Sequence, residues 1–150
     1  MNPVMYIFIN KGLDMSPGKI AAQAGHAAVE AYRLTPEDSN VLRMWYAGGH
    51  YTKIVLEARD ALHLHSIERY VKDRGFKTSL IVDEGRTEID PHTPTALGVE
   101  VVDKDNVHVA QTFSSFSLYK EDGDQPTKRR SLLCPFWTGR KKNTSAPSRE

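Results

Sequence analysis

Cysteine is almost absent from this chain, because Cys134 is the only one among its 150 residues. A single cysteine excludes an internal disulfide and a metal site built from several thiolates. Long apolar runs are missing as well, since no stretch approaches the ~18 residues of a membrane span. Residues 4–9 form an apolar run of only a strand's length, and they lack the basic flanking residues of a secretion signal. We therefore expect a cytoplasmic chain with no membrane partner.

A strong net charge is also lacking, because the formal net charge is +1, but the charges are unevenly distributed. Residues 1–119 carry 12 Lys and Arg against 15 Asp and Glu, whereas residues 120–150, here called the basic tail, carry 8 against 4. The tail is also rich in Pro, Gly, Ser and Thr, a composition that predicts a flexible, disordered segment. The sequence thus divides into a domain at residues 1–119 and a tail at residues 120–150.

The basic tail contains an apolar and aromatic patch at residues 132–137, between basic clusters at residues 128–130 and 140–142. Basic clusters that flank aromatic side chains can bind nucleic acid through phosphate contacts and base stacking. The alternative is a solvated terminus that packs an apolar anchor onto the domain or onto a partner protein. Either use makes the tail a candidate contact for RNA or for protein.

The rest of the chain alternates between strand and helix patterns. Runs rich in β-branched and aromatic residues predict strands at residues 4–10, 52–58, 76–82 and 95–101. Amphipathic spacing and caps predict helices at residues 17–34, 36–47 and 60–74, whereas residues 106–113 fit either type. We expect Thr35 to cap the second helix and Leu62 to lie on the buried side of the third. This alternation is typical of an α/β layered domain with a mostly parallel sheet.

Residues 15–27 both begin a helix and place polar groups along one side of it. Ser16 is a good N-cap, and Pro17 fits the first helical position, where its missing N–H costs nothing. Residues three and four apart share a helical face, so this helix carries a polar stripe: Lys19, Gln23, His26 and Glu30. A lysine in the first turn strengthens a phosphate or oxyanion site there. The solvated face of an ordinary amphipathic helix would show the same stripe.

A second polar segment follows the third predicted strand at residues 83–88. It combines a carboxylate, a guanidinium and a hydroxyl around Gly85, which permits a tight turn. Ligands of α/β sheets bind beyond the carboxyl ends of the strands, so this segment and the first turn of the Lys19 helix are expected to meet. A surface turn with an internal ion pair is the alternative.

These two segments resemble the type-two peptidyl-tRNA hydrolases, the archaeal and eukaryotic kind. That family carries the pattern Met-x-x-Gly-Lys-x-Ala-Ala-Gln-x-x-His-Ala, which residues 15–27 match. It also carries a strand that ends in Asp-Ala-Gly-Arg-Thr, matched at residues 83–87 apart from Glu84. A Pro, a Thr and a Leu-Gly-Ile strand follow in the family, and Pro91, Thr95 and residues 97–99 stand there in this chain. The resemblance extends from about residue 4 to residue 119.

The resemblance implies a three-layer α/β/α domain with a four-stranded mixed sheet, usually in a homodimer. It implies hydrolysis of the ester that joins a peptide or N-acyl-aminoacyl group to the 3′-terminal ribose of tRNA, which returns free tRNA to translation. No metal and no organic cofactor are implied. The residues that match the family's active-site region are Lys19, Gln23, His26, Asp83, Arg86, Thr87 and Thr95.

The residue types suit hydrolysis of an activated ester, which needs an oriented water and donors for a tetrahedral oxyanion. Asp83 is the candidate for positioning the water or for acting as its general base, and Lys19 is the candidate for stabilising the oxyanion or a phosphate. Thr87 and Thr95 can exchange hydrogen bonds with the ester or with water. His26 is either a proton-transfer group or a structural histidine that orients a neighbour.

Substrate contacts are assigned to other polar side chains. Gln23 is expected to hydrogen-bond substrate or water, and the backbone of Gly85 to shape the turn beside it. Arg86 either holds the terminal phosphates or pairs with a neighbouring glutamate. Despite the net acidic charge of residues 1–119, a local basic rim for tRNA is expected from five side chains: Lys11, Lys19, Arg43, Lys53 and Arg86.

The chain departs from the family pattern at Glu84, which stands in place of alanine, and at His92, which stands in place of a common glycine. The basic tail has no family counterpart. Two other classes of function therefore remain beside the hydrolase. One is a catalytically idle relative that binds tRNA or another nucleotide, since a fold alone does not establish activity. The other is a protein-interaction module that uses the tail.

Overall fold

The computed structural model describes residues 1–84 and 90–120 of the chain. Within these residues, four helices and five strands follow one another as β1 (Pro3–Asn10), α1 (Pro17–Leu34), α2 (Asn40–Ala47), β2 (Lys53–Ala58), α3 (Ala61–Lys72), β3 (Thr78–Asp83), β4 (Thr93–Val99), β5 (Val102–Asp103) and α4 (Val107–Phe113). No helix in this part of the chain is long and apolar enough to cross a membrane. Residues 85–89 and 121–150, which hold all of the basic tail except Lys120, lie outside the described residues, and the division into domain and tail stays a prediction.

The main sheet has the strand order β2–β1–β4–β3, and the short β5 pairs with the start of β1. Strands β1 and β2 pair in parallel, whereas β4 pairs antiparallel with both β1 and β3. The α/β class and the mixed sheet are confirmed, but the pairings are less parallel than the sequence predicts. Only β4 is reversed, yet its central position makes two of the three main pairings antiparallel. The physical reason is the length of the connection between β3 and β4, because residues 84–92 are fewer than the dozen or more that a crossover between parallel strands needs.

The sheet is covered by helices on both faces, which confirms the three-layer α/β/α arrangement. Alternate side chains of β1 point to opposite faces of the sheet. One face packs against α1 and α2 through Met5, Ile7, Ile9, Ala27, Ala31, Leu42 and Trp45. The other packs against α3 and α4 through Val4, Tyr6, Phe8, Leu64, Ile67, Val71, Val109 and Phe113. Burial among these apolar groups raises the pKa of Tyr6 above its usual value.

Local signals predict the helix ends well where no distant contact competes. The expected bounds of α1 are confirmed, and the Ser16 hydroxyl accepts a hydrogen bond from the Lys19 N–H at 3.2 Å. The prediction for α2 is wrong at its start, because α2 begins at Asn40 with Ser39 as its cap. Thr35 instead donates its hydroxyl hydrogen to the Ala31 carbonyl and accepts from the Val101 N–H, both at 2.9 Å.

The third and fourth helices also differ in detail from the sequence-based expectation. Leu62 was expected on the buried side of α3, but it is 77% exposed. It lies in the first turn, before Leu64 and Ile67, which do face the core. The segment at residues 106–113, whose pattern fits either type, forms α4 over Val107–Phe113 with Asn106 as its cap.

Close packing of α1 against the sheet depends on Gly98 in β4. A Cβ atom at this position would lie 2.3 Å from the Ala27 carbonyl oxygen and 3.0 Å from the Ala31 Cβ. A helix backbone cannot move away without disturbing the rest of its contacts with the sheet. The glycine therefore sets the distance between α1 and β4, which determines where the polar stripe of α1 lies.

We expect Gly98→Ala to lower the free energy of unfolding by about 1–3 kcal/mol, because it overpacks the contact between α1 and β4. Gly25→Ala is the matched control, since a Cβ there meets nothing within 4 Å. Alanine in the middle of a helix is favoured over glycine by about 1 kcal/mol, so this control should be stabilised. Urea unfolding of both variants measures the difference. Equal stability of the two would contradict the role given to Gly98.

Candidate functional site

The candidate site lies where three elements meet at one end of the sheet, the end at which β1, β2 and β3 finish. Strand β3 ends at Asp83, and the reversed β4 begins beside it at Thr93. The first turns of α1 lie at the same end of the sheet, and they bring Lys19 and Gln23 to the end of β3. The meeting of the two polar segments that the sequence predicts is therefore observed as far as Asp83 and Glu84.

A short ion pair joins α1 to β3 at this end of the sheet. The Lys19 Nζ lies 2.6 Å from the Asp83 Oδ1, and each side chain is only 10% exposed. The Gln23 Nε2 donates a second hydrogen bond to the same Oδ1 at 3.1 Å. A carboxylate so poorly exposed to water needs donors of this kind, because burying an uncompensated charge is costly.

The Gln23 side chain is itself held from its other end by Thr95. The buried Thr95 hydroxyl lies 2.5 Å from the Gln23 Oε1 and 3.3 Å from the Ile81 carbonyl oxygen. A reversed amide would turn its oxygen toward the Asp83 carboxylate, where two acceptors would repel each other. The orientation is therefore set by chemistry, and Thr95, Gln23, Asp83 and Lys19 form one chain of polar contacts, called here the Asp83 cluster.

Thr95 reaches this cluster because of an irregularity in β4. Ile81 of β3 is paired with Ala96, and the next residue, Val82, is paired with Pro94. Thr95 is therefore an extra residue with no partner across the ladder, as in a β-bulge. Bulges bend a strand and redirect a side chain, and they are common beside active sites. The threonine is thus directed at Gln23 by the shape of the strand.

An open cavity of about 400 Å³ adjoins the Asp83 cluster. It is lined by Gln23, His26, Ile81, Val82, Asp83 and Glu84. His26 lies one turn after Gln23 on α1, and its side chain is exposed. Two members of the polar stripe of α1, Gln23 and His26, therefore line a concave site, as is usual for a small-molecule or active site.

The other predicted site residues are not all brought to this place. Gly85, Arg86 and Thr87 lie outside the described residues. Lys11 follows β1 at the same end of the sheet, with its Nζ 3.4 Å from the Glu57 carboxylate. Lys53 begins β2 opposite Met5, about 17 Å along the strands from the end of β1. Its Nζ there lies 4.9 Å from the centre of the Trp45 ring.

Sequence reasoning missed Asn10, a buried residue that supports the site from below. Its Nδ2 donates to the Pro94 carbonyl at 2.8 Å, and its Oδ1 accepts from the Gly12 N–H at 3.0 Å. It thereby ties the loop that leads to α1 to the start of β4. The available signal was a polar residue at the end of an otherwise apolar strand, two positions before a glycine.

Within residues 1–84 and 90–120, no group of three His, Cys, Asp or Glu side chains is placed to hold a metal ion. The Asp83 carboxylate instead meets the Lys19 ammonium and the Gln23 amide. The cluster offers fixed charges and hydrogen-bond donors beside a cavity. Such an arrangement can orient water and stabilise a developing negative charge.

We expect Thr95→Val to lower the free energy of unfolding by about 1–3 kcal/mol, because the buried Gln23 oxygen loses its donor. Thr95→Ser keeps the hydroxyl and is the matched control, with a smaller loss from the missing methyl group. Urea unfolding separates the two variants. A serine variant that is as unstable as the valine variant would mean that packing, not the hydrogen bond, makes Thr95 important.

Comparison with known proteins adds a family to this geometry. The family model described as peptidyl-tRNA hydrolase PTH2 matches residues 3–119, which hold every residue of the Asp83 cluster. The chain is similar to a peptidyl-tRNA hydrolase of Pyrobaculum aerophilum, at 43% identity over 128 residues, or 80% of this chain and 100% of the relative. It is also similar to a peptidyl-tRNA hydrolase of Halobacterium salinarum, at 39% identity over 87 residues, covering 58% of this chain and 75% of the relative.

A eukaryotic relative shows the same likeness over a smaller part of its own length. The mouse protein named peptidyl-tRNA hydrolase 2, mitochondrial, is 39% identical over 112 residues, which cover 70% of this chain and 61% of the relative. The resemblance carried by residues 15–27 and 83–87 is thus confirmed by a match over most of the domain. The chain belongs to the peptidyl-tRNA hydrolase PTH2 family.

Proposed function

We propose that the Asp83 cluster is the catalytic centre at which this protein hydrolyses the ester between a peptide, or an N-acyl-aminoacyl group, and tRNA. Peptidyl-tRNA hydrolysis is the activity of the family to which the chain belongs. The observation that carries the assignment to these residues is the Lys19–Asp83 ion pair at 2.6 Å, which adjoins the cavity. The substrate is peptidyl-tRNA, and no cofactor takes part in the proposed reaction.

Hydrolysis of the ester requires a water molecule aimed at the carbonyl carbon. A carboxylate accepts about four hydrogen bonds, so Asp83 can hold a water while it is bonded to Lys19 and Gln23. Because the neighbouring ammonium stabilises the carboxylate charge, Asp83 is better suited to orient this water than to remove its proton alone. Gln23 fixes the direction of the Asp83 carboxylate through its hydrogen bond to Oδ1, and Thr95 contributes by holding the Gln23 amide.

The tetrahedral intermediate needs donors for its oxyanion, and Lys19 is the candidate. Its ammonium has three N–H donors and stands in the first turn of α1, where the helix dipole also favours negative charge. His26 lines the same cavity, so its imidazole is the candidate for proton transfer to the leaving ribose oxygen. Thr87 and Arg86 keep their proposed roles as a hydrogen-bonding group and a phosphate ligand.

Several further properties belong to this proposal. A homodimer and cytoplasmic residence are proposed from the family resemblance, although the mouse relative is named mitochondrial. Lys11, Lys53 and the basic tail are proposed to contact tRNA phosphates, with a protein partner as the alternative for the tail. The idle-relative alternative remains the competing function, and it predicts tRNA binding without turnover.

We expect Lys19→Met and Asp83→Asn each to lower kcat/KM for N-acyl-aminoacyl-tRNA about 100-fold or more, a loss of about 2.7 kcal/mol in transition-state stabilisation. The measurement is release of the N-acyl-amino acid, beside tRNA affinity. Lys72→Met is the matched control, because Lys72 forms an exposed ion pair with Glu68, also at 2.6 Å, on α3. Binding of tRNA by a wild-type protein that shows no turnover would favour the idle relative.

We expect Lys53→Met, and separately a chain shortened after Tyr119, to reduce the salt dependence of tRNA binding. Each phosphate contact that is lost lowers the slope of log K against log salt by about one unit. Arg69→Met on the exposed side of α3 is the control for a general change in charge. An unchanged slope in the shortened chain would remove the tail from the RNA interface, and a pull-down would then test it for a protein partner.

A further inference from the structure

The two edges of the main sheet are treated differently by the rest of the chain. The outer side of β2 is covered by residues 117–119, since the Glu57 N–H donates to the Ser117 carbonyl and the Tyr119 N–H donates to the Val55 carbonyl, both at 3.0 Å. The other edge strand is β3, and no strand among residues 1–84 and 90–120 pairs with its outer side. The uncovered edge is the one that ends at the Asp83 cluster.

The uncovered edge also lacks the usual protection against a further strand. Exposed edges commonly carry a proline, a lysine or another charge that discourages pairing. Residues 78–82 read Thr-Ser-Leu-Ile-Val, so they contain neither a proline nor a charge. Val82 is 44% exposed, which is high for a valine within a strand. An edge without charge over residues 78–82, beside a catalytic cluster, is therefore available for main-chain hydrogen bonding.

The outward-facing backbone groups of β3 can be identified from its contacts with β4. The Asp83 carbonyl accepts from the His92 N–H at 2.8 Å, and the Ile81 carbonyl lies 3.3 Å from the Thr95 hydroxyl. Both residues therefore direct their backbone groups toward β4. Because these directions alternate along a strand, Leu80 and Val82 direct theirs toward the uncovered side.

The cavity connects this edge to the reacting centre. Ile81, Val82 and Asp83 line it from the strand, and Gln23 and His26 line it from α1. A substrate whose ester lies at Lys19 and Asp83 would thus have its next residues beside the backbone of Val82. The continuity of the cavity with the proposed site indicates which occupant the edge receives.

Building on the proposed function, we propose that the peptidyl part of the substrate binds as an added strand along the outer side of β3. The ester is formed by the C-terminal residue of the peptide, so that end lies at Asp83 and the peptide extends back toward Thr78. Strand β3 also runs toward Asp83, and the added strand is therefore parallel to it. The N–H and C=O groups of Val82 supply its first hydrogen bonds.

Strand addition gives affinity through main-chain groups, while side chains contribute only where a pocket receives them. A hydrolase for peptidyl-tRNA meets peptides of many sequences, and main-chain bonding serves all of them. It also sets a length preference, because a substrate with a single acylated residue has few amide groups to offer to the strand. The proposal thus predicts how the peptide is bound from an edge that the fold leaves uncovered.

The experiment compares tRNA carrying an N-acetyl-tripeptide with tRNA carrying an N-acetyl-amino acid. We expect the wild-type protein to have a kcat/KM about tenfold larger for the tripeptide, as one or two added hydrogen bonds would give. Val82→Pro removes the outward N–H while leaving the ladder to β4, since proline is tolerated where an edge N–H faces away from the sheet. This variant should lose the length preference, whereas Val82→Thr, which keeps the N–H, should retain it.

A change in the substrate alone tests the same bonds without altering the protein. N-methylation of the tripeptide amides should remove the preference in the wild-type protein. A wild-type protein without a length preference, or a Val82→Pro variant that retains it, would overturn the proposal. So would a Val82→Pro variant that turns a dimer into a monomer in sedimentation, because a second copy would then occupy the edge. Absence of hydrolysis on both substrates would instead refute the proposed function.

Discussion

The hydrogen bonds that the Asp83 Oδ1 accepts from Lys19 and Gln23 are the constraint on which the site depends. This oxygen receives the Lys19 ammonium at 2.6 Å and the Gln23 amide at 3.1 Å, and so joins α1 to the end of β3. Removing one partner of so poorly exposed a pair would leave a charge without compensation, which is far more costly than losing a surface ion pair. The contact requires α1 to lie close to the sheet, and Gly98 permits that approach. Gly98, within β4, therefore determines whether Lys19 on α1 can reach the Asp83 carboxylate at the end of β3.

The reversed direction of β4 gives the site its composition. An all-parallel sheet would bring only strand carboxyl ends to the end of the sheet where the site lies. Here the amino end of β4 lies beside the carboxyl end of β3. Thr95 can contribute for this reason, and the bulge turns it toward Gln23. Asn10 fixes the same region by bonding to the Pro94 carbonyl. Two buried polar side chains from different strands thus hold the start of β4 while their hydrogen bonds remain satisfied.

Features that depend on local chemistry, or on a general rule about where strands end, could be predicted from the sequence. Features that depend on particular strand pairings or on individual tertiary hydrogen bonds could not. The cap at Ser16 and the proline after it determine the start of α1, and the helical period alone places Lys19 beside Gln23. The meeting of Lys19 with Asp83 followed from a general rule about strand ends. The prediction that Thr35 caps α2 is wrong, because its hydroxyl is bonded to Ala31 in α1 and to Val101 after β4. The reversal of β4 and the bulge at Thr95 depend on strand pairing, which no local pattern encodes.

A site at an uncovered sheet edge suits a substrate with two large ends. Peptidyl-tRNA carries a nucleic acid on one side of the ester and a peptide on the other, so a closed pocket could not admit it. The cavity beside Asp83 is open and is lined by Ile81 and Val82 of β3, whereas the opposite edge, at β2, is covered by residues 117–119. Covering one edge prevents pairing with other chains. In the proposed binding mode, the uncovered edge gives the peptide a path away from the ester. The same strand order that brings Thr95 to Asp83 thus also leaves β3 accessible, because the insertion of β4 between β1 and β3 moves β3 to the edge.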